Sequence, residues 1–410
     1  MIRVLSVSTL YPNPADPHRG AFLRARLRAL REFAASDVEL RVIAPVPYWP
    51  RFLPGPARWR RFSAAPASGE IEGVPALFPR YVVVPRLGVA SHVPSLARAM
   101  RRAAGSFEPD LVEAHFLFPD GAAAAIVARE ISRPLLLVAR GTDAHTFPRD
   151  PRLRGRIAAA LAAATSVSAV SAGLAADLAP LLPPSKRVAV IRNGVDVRIF
   201  HPRPRAEARA ALGIRGDGPI VLGVGRLTPV KRPAVIVEAL ALASRLQNEA
   251  PQDDRVIRGI LVGSGELEPA VRSLAARLDL LGPAAAGAGP RLEIVREMPP
   301  ERLALHYAAA DVFVHASERE GCPNVVIEAL SSGTPVAATP SAGVAEALAA
   351  VGAGSVVAES ADPAALARAI ARALAARFDR NAIGAAAAAA FRWESVARST
   401  VALFRETIAR

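Results

Sequence analysis

A single cysteine, Cys322, stands in this 410-residue chain, and it excludes an internal disulfide framework. That usage fits a reducing compartment. Seven histidines beside one cysteine leave no basis for a Cys/His zinc site. No G-x-G-x-x-G follows the first apolar run, so the phosphate-binding turn of a hydride-transferring dehydrogenase is missing. Lipid-spanning runs are missing too. Met1–Leu10 is short, is closed by Tyr11-Pro12 and carries no cleavage region, so no secretory leader is expected. Ile157–Ala176 is free of charge over about a spanning length, yet it consists mostly of weakly hydrophobic Ala, Ser and Thr. Its centre, Thr165–Val170, reads as a strand between two small-residue helices, and buried soluble structure is expected there.

Acidic side chains are the minority charge, 37 against 51 Lys and Arg, a formal net of +14. Such an excess suits nucleic acid, anionic lipid or an acidic substrate. Here it accompanies heavy Ala and Pro usage and singles out no partner. No nucleic-acid-binding module is recognised, and nucleic acid is not expected as a partner. With 51% apolar residues the chain is globular, and its length fits two to three domains.

What is present is an alternation. Val4–Ser8 reads as a first strand, followed by the Pro-rich loop Tyr11–Gly20 and a helix from about Ala21. On that helix Leu23, Leu27, Leu30 and Ala34 share a face, with Arg24, Arg28 and Arg31 as a basic stripe beside it. Val38–Ala44, Val74–Val84, Leu111–Ala114, Pro134–Ala139, Ser166–Val170 and Arg187–Ile191 read as further strands, most of them separated by helical segments. Tyr48–Phe62 interleaves aromatic and basic residues in a Pro-rich loop, able to touch a membrane interface, stack on a ligand or pack over a domain edge. A Pro/Gly/Arg-rich stretch between Asp196 and Pro219 breaks the pattern and marks a domain boundary.

The alternation resumes with strands at Ile220–Gly225, Gly259–Val262, Leu292–Val295, Val312–His315, Pro335–Ala338 and Ser355–Val357, and helices such as Pro233–Leu246 and Glu301–Ala310. Strands alternating with helices specify α/β architecture, here two doubly wound domains with parallel sheets, facing each other across a cleft. The expected division is 1–200, 201–390 and a closing segment 391–410. Periodicity alone lets the final helix, about Trp393–Ile408, pack on either domain. Ligands of such sheets bind beyond the carboxyl ends of the strands, so strand-end loops are where chemistry is expected.

The densest such loop is Glu320-Gly-Cys-Pro-Asn-Val-Val-Ile-Glu328, two carboxylates separated by seven residues. A strand precedes it and a helix carries Glu328. Strand, tight loop and helix direct backbone N–H groups and the positive helix end at one spot, a seat for phosphate. Glu328 then follows within reach of sugar or ribose hydroxyls. A solvated loop carboxylate and a surface helical Glu have the same spacing, and the neighbouring motifs decide. Gly223-Val-Gly225-Arg226 with Lys231 ends the first strand of the second half. Arg226 as a planar fork and Lys231 as a point charge suit phosphate, and such donors stabilise a departing diphosphate. Gly263-Ser-Gly265 ends the next strand with another glycine loop.

In order and spacing, Gly225-Arg-Leu with Lys231, Val262-Gly-Ser-Gly265, Glu320-Gly-x-Pro-Asn with Glu328-Ala-Leu, and Gly333-Thr-Pro-Val resemble the retaining glycosyltransferases of family 4. Asn193-Gly-Val-Asp196 followed by Phe200 is similar to a junction of that family, and Ser341–Glu346 and Phe391-Arg-Trp-Glu394 to its C-terminal pattern. The resemblance covers nearly the whole chain. It implies the GT-B fold, with an N-terminal acceptor-side Rossmann-like domain, a C-terminal one holding a nucleotide-sugar donor, and a last helix crossing back to the first.

Carried over residue by residue, Arg226 and Lys231 would bind the donor diphosphate and Glu328 the ribose hydroxyls. Glu320 would face the transferred sugar, beside the backbone of Gly321, Cys322, Pro323 and Asn324. Gly225, Gly263 and Gly265 belong to the donor loops. His115, closing Pro109-Asp-Leu-Val-Glu-Ala-His115, matches the family's active-site histidine beside the reacting carbon. Gly20 matches a loop where a missing Cβ lets the backbone approach donor and acceptor. Catalytic roles thus fall to His115, Arg226, Lys231 and Glu320. Three departures concern the acceptor side more than the donor: Gly20-Ala21 in place of a glycine pair, Arg140-Gly-Thr-Asp143 where His-Gly-x-Asp is frequent, and Arg232 after the lysine in place of glycine.

The implied activity is transfer of a sugar from a nucleoside-diphosphate sugar to an acceptor hydroxyl with retention, in polysaccharide, glycolipid or other cell-envelope glycan synthesis. No metal or other cofactor is expected, because such enzymes manage the diphosphate with cations and helix ends, and no Asp-x-Asp pair occurs in the chain. Two rivals share the fold: a sugar-nucleotide epimerase, which would need no acceptor, and a non-catalytic nucleotide-sugar-binding protein. The Arg24/Arg28/Arg31 stripe with Arg98, Arg101 and Arg102 adds the expectation of a cytoplasmic protein docking on the anionic inner face of the membrane, where lipid-linked acceptors reside.

Overall fold

The computed structural model describes residues 1–17, 19–48, 61–83, 89–248, 256–282 and 291–410. The Tyr48–Phe62 loop therefore lies almost wholly outside the described residues. The chain forms two compact units, Met1–Asn193 with Trp393–Arg410, and Gly194–Arg392. The first passage between units thus falls at Asn193 rather than near residue 200, and the closing segment begins at Trp393 rather than at 391.

The first unit is built on β1 (Ile2–Val7), β2 (Val38–Ile43), β3 (Val46–Tyr48), β4 (Ser68–Ile71), β5 (Val74–Leu77), β6 (Arg80–Val82), β7 (Leu111–His115), β8 (Leu135–Ala139), β9 (Ser166–Ala169) and β10 (Val188–Val190). Eight of them form one sheet in the order β10-β9-β8-β7-β1-β2-β5-β4, and β3 pairs with β6 in a separate ribbon. All pairings in the large sheet are parallel except β4 with β5. β7 and β8 are buried at every position, as central parallel strands covered on both faces must be.

One expectation fails here. The run 74–84 is not a single strand: it is β5 and β6, parted at Phe78-Pro79, where Pro79 offers no N–H to a ladder. β4 escapes sequence reading because Ser-Gly-Glu-Ile is polar and short. It is fixed by the tight turn to β5, in which Glu72 and Gly73 both adopt positive φ (50° and 81°).

The helix Ala21–Phe33 buries Leu23, Leu27 and Leu30 as its spacing predicts, and also Arg26. Arg26 donates to the Thr400 hydroxyl at 3.0 Å, which places the final helix, Trp393–Ala409, on the first unit. Ile157–Ala176 is divided among the helix Pro151–Ala163, β9 and the helix Ala172–Leu178. Among the described residues no helix is long and apolar enough to cross a membrane.

The second unit holds β11 (Ile220–Val224), β12 (Arg258–Val262), β13 (Leu292–Val295), β14 (Val312–His315), β15 (Val336–Ala338) and β16 (Ser355–Val357) in the order β13-β12-β11-β14-β15-β16. All five pairings are parallel. Relative to its own first strand this is the order 3-2-1-4-5-6 of a dinucleotide-binding sheet, which reverses direction between β11 and β14. Helices Pro233–Asn248 and Pro363–Ala375 cover one face, and Asn324–Ser331, Ala342–Val351 and Arg380–Phe391 the other, so each face has its own apolar core. Asp362 and Asp379 cap two of these helices through Ala365 N and Ala382 N.

Candidate active site

In the second unit, the loops leaving β11 and β14 stand side by side at the point where the strand order reverses. Arg226 and Lys231 follow β11, and Glu320 follows β14. Lys231 and Glu320, 89 residues apart in sequence, meet in an ion pair, Nζ to Oε1 at 2.5 Å. His315, the last residue of β14, places Nε2 3.1 Å from the same oxygen. The second oxygen, Oε2, has no protein partner among the described residues. Desolvation works against the charge on Glu320, but His315 and Lys231 outweigh it and hold the carboxyl at about 2. Glu320 is therefore a fixed anion with one acceptor oxygen committed and one available. Arg226 is exposed, and its guanidinium makes no hydrogen bond or ion pair among the described residues.

The glycines of these loops are set by close approach. A Cβ on Gly263 would stand 2.0 Å from the Gly225 carbonyl oxygen, and one on Gly265 2.3 Å from that of Leu227. The β11 and β12 loops thus touch backbone to backbone, which only glycine allows. Gly343 plays the same part behind the carboxylate, where a Cβ would lie 2.4 Å from the Glu320 carbonyl oxygen.

Gly321, Cys322 and Pro323 lead from Glu320 into the helix Asn324–Ser331, whose first turn is closed by Val326 N and Ile327 N on Pro323 O. Asn324 N donates to Cys322 O and no side chain caps this helix, so Val325 N and the positive helix end are what its first turn offers an anion. Glu328 lies one turn in and is largely buried. Burial lifts its carboxyl to about 7, although the Tyr307 hydroxyl donates to Oε2 at 3.0 Å. Tyr307 and His315 are site residues that sequence reading missed. Neither belongs to a motif loop, and each is recognisable only by what it touches.

The first unit places its own candidate at the corresponding reversal, between β1 and β7. His115 ends β7 with no exposed surface. Arg140 NH2 lies 2.7 Å from its Nδ1, and Glu113 Oε2 and Ser6 Oγ lie 3.1 and 3.2 Å from its Nε2. A guanidinium only donates, so Nδ1 must accept and the ring proton sits on Nε2, shared between Glu113 and Ser6. Burial drives His115 down to about 4, with the Arg140 cation adding to the effect and Glu113 opposing it. Desolvation opposes charge on Glu113 as well, but contact with His115 and the cations Arg26 and Arg140 hold it at about 2. The cluster is a neutral imidazole between an anion and a cation.

Arg140 also donates to Asn193 Oδ1 at 3.3 Å. Its loop is pinned by Asp143, which accepts from the backbone of Leu117, Arg140 and Gly141. Gly20 has a positive φ of 56°, and a Cβ there would meet the Leu10 carbonyl oxygen at 2.0 Å, so its glycine is required by its own loop.

Comparison with known proteins bears on the family and the fold. The family described as Glycosyltransferase Family 4 matches residues 27–199, and the family described as Glycosyl transferases group 1 matches residues 204–390. TuaC of Bacillus subtilis, assigned to teichuronic acid biosynthesis, is 28% identical over 84% of this chain and 82% of its own. The D-inositol 3-phosphate glycosyltransferase of Geodermatophilus obscurus is 36% identical over 53% of this chain, a match that spans about half of that relative (47%). Among solved structures, sucrose-phosphate synthase of Thermosynechococcus elongatus superposes with a TM-score of 0.76 over all of both chains at 22% identity. Anabaena HepE in complex with UDP superposes at 0.69 over 99% of this chain and 100% of its own, at 17% identity. At such identities the likeness to the solved structures is one of fold. Two adjoining family matches, laid over two doubly wound units with the motif loops at their strand ends, settle the class: the chain belongs to glycosyltransferase family 4, with the GT-B fold.

Proposed function

We propose that this glycosyltransferase is retaining and metal-independent, and that its second unit holds a nucleoside-diphosphate sugar whose sugar passes to an acceptor hydroxyl in cell-envelope glycan synthesis. The observation that carries the reading is the Lys231–Glu320 pair at the reversal point of the second sheet, beside an uncapped helix start and the buried Glu328. Ligands of such sheets lie at this point. Glu328 accepts from the ribose hydroxyls, Arg226 and Lys231 take the diphosphate, and Glu320 Oε2 accepts from a hydroxyl of the sugar.

As the bond from the anomeric carbon to the diphosphate breaks, negative charge grows on the leaving oxygens. Fixed cations and helix N–H groups stabilise that charge more than they stabilise the bound donor. The acceptor oxygen bonds to the anomeric carbon on the face that the diphosphate leaves, and its proton passes to the departing diphosphate. The envelope role follows the relative named for teichuronic acid biosynthesis. A cytoplasmic site of action, with peripheral contact to the membrane that holds lipid-linked acceptors, belongs to the same proposal.

Calorimetric titration of UDP, GDP and ADP, with and without EDTA, tests the donor site. One nucleotide is expected to bind equally in both conditions, and Glu328→Ala to weaken it about tenfold or more, the scale of hydrogen bonds to a charged group. Binding that vanishes with EDTA removes metal independence, and binding indifferent to Glu328→Ala removes the ribose assignment.

A further inference from the structure

A cavity of about 200 Å³ lies at the carboxyl edge of the first unit's sheet, with Thr9, Asn13, Arg19, Phe62, Tyr81 and His92 in its lining. It is smaller than the roughly 300–1,000 Å³ of pockets that enclose a drug-sized ligand, so it admits one ring or one charged substituent and not a nucleotide. Two polar groups of the lining are without protein partners among the described residues. Neither the Arg19 guanidinium nor the Tyr81 hydroxyl makes a hydrogen bond or ion pair among the described residues. The carboxylate whose charge acts on both groups is committed elsewhere. Asp120 is fully buried, and its two oxygens accept from Thr9 N at 2.7 Å and Thr9 Oγ1 at 3.0 Å.

Burial, with Asp120 adding to it, lifts the Tyr81 phenol to about 12 against the pull of Arg19, so the phenol stays protonated and able to donate. A guanidinium fork and a phenol that both lack a partner among the described residues, on the wall of one small cavity, are complementary to an anion. Phe62 and the Pro45–Pro47 segment supply an apolar wall, which suits the face of a sugar ring better than a free inorganic ion.

We propose that this cavity binds the anionic substituent, phosphate or carboxylate, of a sugar-like acceptor, with Arg19 as the charged anchor and Tyr81 as the second donor. The word acceptor rests on the glycosyltransferase reading; the capacity for an anionic sugar does not. Titration of the full-length protein with glucose 6-phosphate, glucuronate and glucose separates phosphate from carboxylate and both from an uncharged ring. At least one anionic sugar is expected to bind about tenfold or more tightly than glucose. Arg19→Ala is expected to abolish that preference, Arg19→Lys to keep part of it, and Tyr81→Phe to weaken it, with melting temperatures near wild type.

If neither anionic sugar outbinds glucose, or if Arg19→Ala leaves the preference intact, the assignment is overturned. Nucleotide titration of the same variants keeps the two readings apart. Anionic-sugar binding without nucleotide binding would sink the donor site and leave the cavity, and the reverse result would sink the cavity alone.

Discussion

Burial raises the Glu328 carboxyl to about 7 from an ordinary 4.5. The sign of its effect on stability follows. A carboxyl whose folded pKa lies above its unfolded value favours the fold fully below about 4.5, and that advantage is lost as pH rises through 7, by up to about 3 kcal/mol. Glu328→Gln stays neutral throughout, so its melting temperature relative to wild type is expected to rise between pH 5 and pH 8. Nucleotide affinity of the wild type is expected to run the other way, strengthening from pH 6 to pH 8, because an ionised carboxylate is the stronger acceptor for ribose hydroxyls. Calorimetry at the two pH values checks this, and a flat affinity would contradict the assigned contact. Glu320, held at about 2, contributes nothing to that pH dependence. The two carboxylates of one motif thus have opposite environments: one is paired with Lys231 and His315, the other is desolvated beside Tyr307.

The final helix shows how an element far along the chain completes a core begun near its start. Trp393, Val396, Ala397, Val401, Leu403 and Phe404 join Leu23, Leu27 and Leu30 in one apolar cluster. Arg26, buried in the same contact, reaches Thr400. Phe404→Ala is expected to cost about 3–5 kcal/mol, read by denaturant unfolding. Hydrogen exchange should place the loss in the first unit, and faster exchange confined to Gly194–Arg392 would refute the placement. The β4–β5 turn has a comparable reach. Its Glu72 pairs with Arg24 at 3.1 Å and Arg28 at 3.3 Å, so two members of the basic stripe on the first helix share one carboxylate from a turn that sequence reading did not register.

At the scale of the whole molecule, that pairing redistributes the +14 charge. Arg98, Arg101 and Arg102 remain exposed on the helix Val93–Ala104, opposite its buried Val93, Leu96, Ala97 and Met100. If the protein docks on anionic lipid, these three carry the attraction more than Arg24 and Arg28 do, at about 1 kcal/mol for each arginine near the surface. Cosedimentation with phosphatidylserine-containing vesicles at physiological salt is expected to fall sharply when all three are changed to Gln. It is expected to change little for Arg24→Gln with Arg28→Gln, and to weaken for every form as salt rises. A wild type that stays in the supernatant would sink the docking hypothesis.

The amino-acid sequence by itself determined the alternation of strands and helices, the two-unit architecture and the loops at Gly225, Gly263 and Glu320. Those features follow from apolar periodicity and turn residues a few positions apart, which act locally. Val312–His315 and Leu292–Val295 carry the same limits in the sequence reading and in the fold for that reason. Only the tertiary structure decided the rest. The break at Pro79, the β4 turn, the burial of Arg26 and the unit that the last helix joins all depend on which surfaces meet. So does the state of each ionisable group. Desolvation and Coulomb interaction are set by neighbours distant in sequence, as Lys231 is to Glu320, Tyr307 to Glu328 and Arg140 to His115. Residue types and spacing thus marked the loops that carry the candidate residues, whereas their protonation states, their committed oxygens and the small cavity beside Arg19 exist only in the folded chain.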